Sequence, residues 1–263
     1  QGMDKGEMVG VPTKDISEMH SFEDFYDAYK QQMDYCISLM VNADNAIDVA
    51  HGERCPLPFL SSMIDDCIKK GKSTQEGGAV YNFTGPQGFG IANMADSLYA
   101  IRKLVFEEKQ FTLGELKEAL IWNYGKGLDQ QSVQDLAQGI LKEAENAGRQ
   151  VDENMTEAVV QSVLSMKLSK EKISRYEEIR NKILEVPKFG NDIPEVDYFA
   201  RDVAYTYTRP IQQYSNPRGG SFHAGLYPVS ANVPLGGQTG ATPDGRYAHT
   251  PVADGVSPSA GKD

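Results

Sequence analysis

The residues of this chain that could do chemistry fall into a few groups. The first is Gly85-Pro-Gln-Gly88-Phe-Gly90, set immediately before an amphipathic run that starts near Ile91. Glycines ahead of a helix can present backbone N–H groups and the positive end of the helix dipole to an anion. A dinucleotide fingerprint would require G-x-G-x-x-G after a buried strand, but Asn93 stands at the third glycine position and the preceding stretch is short and polar. Gly71-Lys72-Ser73 matches the end of a nucleotide-binding loop, yet Asp66 occupies the position of its first glycine. Backbone geometry and close packing are therefore the expected use of these glycines, with no phosphate bound.

For a metal, Cys36, His51, Cys55 and Cys67 are the available cluster, without C-x-x-C or H-x-x-x-H spacing. Burial as small apolar side chains is the better expectation for the cysteines. His223 and His249 lie in a Gly-rich region with no Ser or Cys in a nucleophile elbow. Carboxylates are abundant, and in an acidic chain paired Asp or Glu normally mark a solvated helix face.

Local signals place these residues on elements. Ser21-Phe-Glu-Asp24 reads as a helix start, and Phe25, Tyr29, Met33, Ile37, Met40 and Ile47 recur on one face, predicting a helix to about Ala50. A second helix is expected over Phe59–Lys70, a third through Ala95, Leu98, Ile101 and Leu104, and a fourth from the capping box Thr112-Leu-Gly-Glu115. Residues 127–172 are polar with short apolar periods at Val133, Leu136, Val159 and Val163, which predicts a peripheral helical insertion. Further helices are expected over Ile173–Leu184 and Val196–Gln213. From Gly219 the composition turns to Gly, Pro, Ser and Thr; Leu226–Leu235 alternates like a strand, and Thr-Pro243-Asp244-Gly245 predicts a tight turn.

The 263 residues suffice for a substantial core. A net charge of -11 excludes a basic stripe for nucleic acid, and no apolar run reaches the roughly 18–20 residues of a membrane span. Three cysteines do not make a disulfide framework, so a cytoplasmic protein with no membrane or nucleic-acid partner is the expectation.

Four long stretches carry more: YNFTGPQGFGIANMADSLYAIRKLVFEE, PKFGNDIPEVD, NPRGGSFHAGLYPVSANVPLG and TGATPDGRYAHTPVADGVSPSAGKD. In this order they resemble the glycyl radical enzymes, specifically the branch of glycerol and diol dehydratases, choline trimethylamine-lyase and sulfonate lyases. The similarity covers nearly the whole chain outside 127–172. It implies an α/β, helix-rich fold, part of a ten-stranded α/β barrel wrapped by helices as in pyruvate formate-lyase, with residues 1–263 a segment of one catalytic domain. It also implies a lyase that cleaves a carbon-heteroatom bond in a small substrate, isethionate first, with a diol, hydroxy acid or choline as alternatives. A noncatalytic helical scaffold sharing that ancestry is the reading from another class.

In the family a radical-SAM activating enzyme installs a glycyl radical, which oxidises a cysteine to a thiyl that attacks the substrate. No separate cofactor is bound. The resemblance further implies a homodimer and a cytoplasmic location, extending to a bacterial microcompartment. The family's Cys-x-Glu is absent here, since Cys36, Cys55 and Cys67 are followed by Ile-Ser, Pro-Leu and Ile-Lys, and no Gly-Tyr pair occurs. The expectation is a segment between the cysteine and glycine loops that is inactive alone. Tyr214, Arg218 and Phe222 are the candidate substrate-binding residues, Arg218 because its fork of donors can grip an anion. Pairing of Arg218 with a protein carboxylate is the equally weighted alternative.

Overall fold

The computed structural model describes residues 10–128, 130–149 and 151–259. The helices are α1 (Phe22–Arg54), α2 (Pro58–Ser62), α3 (Cys67–Lys70), α4 (Ile91–Ile101), α5 (Leu113–Ile121), α6 (Gln130–Asn146), α7 (Glu153–Ser165), α8 (Lys170–Glu185), α9 (Pro194–Ile211) and α10 (Asn232–Gly237). Capping decides where the long ones start. Ser21 Oγ accepts from Asp24 N at α1, and Thr112 with Glu115 forms a reciprocal capping box at α5.

Helix α4 is the centre of the fold. Ala92, Ala95, Leu98, Tyr99, Ala100 and Ile101 are all buried, so most of its surface is covered although Met94 is exposed, and it runs on into a π-helical turn over Arg102–Glu107. Ala95 and Leu98 pack against Ala200 and Val203 of α9, with Tyr26 and Tyr29 of α1 closing that side. On another side Tyr99, Ile101 and Leu104 join Leu116 and Ala119 of α5 and Tyr176, Ile179 and Ile183 of α8. Steps of three and four put Tyr176, Ile179 and Ile183 on one face of α8. Helices α6 and α7 form a hairpin whose apolar residues, Val133, Ala137 and Val163 with Leu128, Leu136, Val159 and Val160, gather into a cluster that has, among the described residues, no member from another helix.

Two expected elements are corrected. Phe59–Lys70 is not one helix: it breaks at Met63–Asp66, with Asp66 at φ 73. Its periodic side chains Phe59, Met63 and Ile68 are 79%, 61% and 76% exposed, so no packing holds a continuous helix there. Leu226–Leu235 is not a strand either, because its second half is α10 and Tyr227, Val233 and Leu235 are exposed. An alternating pattern needs a neighbouring strand to pair with, and none lies alongside among the described residues. The ten-stranded barrel is accordingly not displayed among the described residues, which form helices, turns and isolated bridges. Cys67 is buried as expected, whereas Cys36 and Cys55 are exposed.

Candidate functional site

The glycine-rich turn holds another part of the same chain. Thr84 N donates to Ser221 O (3.1 Å) and Thr84 O accepts from His223 N (2.8 Å); Gly225 N donates to Pro86 O (2.8 Å) and Gly88 N to Gly225 O (2.9 Å). These bonds make two parallel bridges, Thr84 with Phe222 and Gln87 with Gly225. Pro86 has no N–H to offer between them, so the ladder is interrupted where a regular parallel pair would continue. Beyond it, Gly90 at φ 68 caps α4 and its N–H donates to Ala253 O (2.9 Å). The helix N-terminus thus meets a carbonyl of residues 251–255.

The three candidate residues sit along this pair. Phe222 is buried with Ile37 and Val41 of α1 and Ile211 of α9, and Tyr214 packs at the edge of the same cluster. Arg218 lies at the tip of a tight loop in which Asn216 N donates to Gly220 O (2.8 Å) and Gly220 N donates to Asn216 Oδ1 (2.9 Å). Its Nε donates to Asp48 Oδ2 of α1 at 2.9 Å, and Nη2 reaches Thr84 Oγ1 (3.1 Å) and Phe83 O (3.3 Å). The side chains of Arg218 and Asp48 are each 20% exposed. Arg218 therefore ties α1 to the paired segment, the arrangement in which it has a protein carboxylate as counter-ion.

Sequence reasoning missed Asp48, Thr84 and Asn216. Asn216 Nδ2 donates to both Asn82 O (2.5 Å) and Thr84 Oγ1 (2.9 Å), fixing the loop against the turn. The NPRGG motif contained Asn216 and offered a signal, since Asn commonly organises tight loops through its own side chain. Asp48 offered none, lying 170 residues from Arg218 on a polar helix. Two buried acceptors beside the pair, Asn82 Oδ1 and Gln87 Oε1, lack a partner. Among the described residues no three His, Cys, Asp or Glu side chains converge as a metal site, and no helix is long and apolar enough to cross a membrane.

If the Arg218–Asp48 bond holds the site together, the single replacements Arg218→Ala and Asp48→Ala should each destabilise the chain and fail to add in the double variant. A coupling energy of about 1.5 kcal/mol is expected for a charge-assisted, part-buried hydrogen bond. Additive effects in chemical denaturation would mean that the pair contributes nothing.

The chain is similar to known proteins. The pyruvate formate lyase-like family model matches residues 1–236. A structure described for 1,2-propanediol dehydration in Roseburia inulinivorans is 60% identical, with a TM-score of 0.91, over 97% of this chain and 30% of that one. The glycerol-bound B12-independent glycerol dehydratase of Clostridium butyricum is 44% identical, with a TM-score of 0.75, over 99% of this chain and 28% of that one. Among curated proteins, the (2S)-3-sulfopropanediol dehydratase of Klebsiella oxytoca is 31% identical over 98% of this chain and 26% of its own length. The chain spans about a quarter of the length of the curated relatives it matches. With the family model covering residues 1–236, the chain belongs to the pyruvate formate lyase-like family of glycyl radical enzymes.

Proposed function

We propose that this chain is part of a glycyl radical dehydratase acting on a vicinal diol. The observation that carries the reading is the 60% identity and TM-score of 0.91 to the structure described for 1,2-propanediol dehydration. The polarity around the paired turn supports it. Arg218 already has Asp48 as counter-ion, which removes the argument for an anionic sulfonate as the group it grips.

In this reading the full-length protein carries a backbone glycyl radical, installed by a radical-SAM activating enzyme, and a cysteine that relays it. The thiyl takes a hydrogen atom from the diol, the substrate radical loses its hydroxyl as water after protonation by a carboxylic acid, and the hydrogen atom returns. A diol becomes an aldehyde and water with no net oxidation. The 263 residues contain neither Cys-x-Glu nor Gly-Tyr, so those groups belong to other parts of the full-length protein. This chain supplies walls and supports.

The test is anaerobic incubation of the full-length protein with its activating enzyme, S-adenosylmethionine and reductant, followed by electron paramagnetic resonance and product analysis. A glycyl doublet with propanal formed from 1,2-propanediol is expected, and no doublet from the 263-residue chain alone. Sulfite release from isethionate without diol turnover would overturn the substrate assignment, and a doublet from the chain alone would overturn its reading as a segment.

A further inference from the structure

Asn93 breaks the glycine pattern at the start of α4, and its carboxamide is one of the few polar side chains buried in the core, at 6% exposed. Its Nδ2 donates to Asp244 Oδ2 at 2.6 Å, and its Oδ1 accepts from Ala253 N at 2.6 Å. Asp244 belongs to the turn Thr242–Arg246, closed by Gly245 N donating to Thr242 O (3.0 Å), and its second oxygen is taken by Thr242 Oγ1 (2.5 Å) and Arg246 N (3.3 Å). A carboxylate can only accept and a backbone N–H can only donate, so a single orientation of the Asn93 amide satisfies both partners.

Ala253 lies in the middle of a strap, residues 250–255, which the fold grips on several sides. Its N–H goes to Asn93 and its carbonyl receives Gly90 N. One residue earlier, Asn232 Nδ2 donates to Val252 O (2.9 Å) and Val252 N to Asn232 O (3.3 Å), binding the strap to the start of α10. Gly255 then passes so close to the backbone of Leu226 and Tyr227 that a Cβ there would overlap both. Those two residues continue directly from the pair that carries Phe222 and Gly225, and Gln87 Nε2 donates to Tyr227 O (2.5 Å).

We propose that Asn93 is a positioning residue: its carboxamide latches the strap to α4 and to the Thr242–Arg246 turn, and the strap in turn holds Leu226–Tyr227 in place beside the candidate site. The latch stands on the hydrogen bonds alone; its effect on turnover rests on the dehydratase reading above.

The chemistry of the latch makes it separable from ordinary packing. Asn93→Asp keeps the acceptor for Ala253 N but sets a second carboxylate against Asp244. Asp244→Asn keeps the acceptor for Thr242 and Arg246 but turns an amide donor toward the Asn93 amide donor. Combining the two restores a donor facing an acceptor, with the roles exchanged. The other ionisable groups near this point include Asp96 on α4, Lys188 from the loop before α9, Arg246 in the turn, and Tyr124 and Arg180, which donate to Thr242 O and Gly245 O, and the combined variant leaves all five unchanged.

Amide hydrogen exchange on the 263-residue chain reads the strap directly. At pH 7.5, protection at Val252 and Ala253 should fall roughly tenfold in Asn93→Asp, the change that loss of one hydrogen bond produces. Asp244→Asn should show a similar loss, and the double variant should recover to within about threefold of the parent chain. Unchanged protection in Asn93→Asp, or a double variant no better protected than either single, overturns the latch; if Asn93→Asp does not fold, Asp244→Asn against the double makes the same comparison. In the full-length protein, Asn93→Asp should raise KM for the diol more than it lowers kcat, with recovery in the double. A loosened strap with unaltered KM overturns the positioning role, whereas a wild-type protein without diol turnover counts against the dehydratase reading and leaves the exchange result standing.

Discussion

Replacing Lys188 by methionine is expected to remove about 1–3 kcal/mol of stability at pH 7.5, the cost of leaving a buried carbonyl without its charged donor. Lys188 is 7% exposed, in the loop between α8 and α9, and its Nζ donates to Ile183 O at 2.7 Å. Asp96 of α4 and Asp244 of the turn face it and favour its charged form, against burial, which pulls its pKa down. Methionine preserves the stem and its packing. It removes a positive charge near Asp96 and Asp244 and leaves the Ile183 carbonyl without its donor. By contrast, Asp96→Asn should cost little, since the amide oxygen can still accept from Phe189 N, which Asp96 Oδ1 now does at 2.8 Å, and one of two anions around a single cation is removed.

The pH dependence follows from the direction of the Asp96 shift. Burial pushes its carboxyl up to about 6, against the hydrogen bond from Phe189 N and the nearby Lys188 charge. A carboxyl whose folded-state value lies above its unfolded value of 3.8 binds its proton more tightly when folded. Its ionisation therefore opposes folding above about pH 6, and that penalty is relieved as pH falls from 6 toward 4. Removing the Lys188 charge should push the Asp96 value higher still. The deficit of Lys188→Met relative to the parent chain should then be smaller at pH 5 than at pH 7.5. Urea denaturation at the two pH values checks this, and a deficit under about 1 kcal/mol at both would mean that Lys188 is a spectator.

What could be read in the sequence was what is decided locally. The starts of α1 and α5 are set by a side chain and an N–H three residues apart, Ser21 with Asp24 and Thr112 with Glu115, so the residues that decide them are adjacent in the text. The same holds for the turn closed by Gly245. Periodicity misled over Phe59–Lys70, where the apolar spacing is helical but those side chains face outward and nothing stabilises the helix through Asp66. It misled again at Leu226–Leu235, because a strand is a property of two segments. The pairing that does form uses Thr84–Gly88 and Ser221–Gly225, stretches whose glycines and Pro86 give them no strand signature. The family motifs contained Arg218 and Phe222, but not the residues they contact in the fold. The departure of Asn93 from a glycine pattern was visible; what it binds lies 151 and 160 residues away.

Alanine at Gly220 should be among the most damaging small changes in the chain, costing about 3 kcal/mol, the upper part of the range for forcing an extra carbon into a packed interior. The backbone of Gly220 is in a region open to any residue, so conformation is not the obstacle. Space is: a Cβ there would overlap the carbonyl oxygen and carbon of Asn82 and press on Phe83 N at 3.0 Å. All three are backbone atoms and cannot rotate away. Relief requires the Asn216–Gly220 loop to lift off the turn, which strains Asn216 Nδ2 to Asn82 O, Arg218 Nη2 to Phe83 O and the Thr84–Ser221 bond together. Gly219 supplies the control. Its φ of 82 disfavours a side chain, but a Cβ would meet open space, so Gly219→Ala should cost about 1–2 kcal/mol through backbone strain alone. Denaturation ranks the two variants, and amide exchange separates their mechanisms. In Gly220→Ala the amides of Thr84 and His223 should lose protection together, because both bridge the pair the loop is pushed away from, whereas in Gly219→Ala they should not. Equal losses in the two variants would place the cost in the loop itself and detach it from the site it presents.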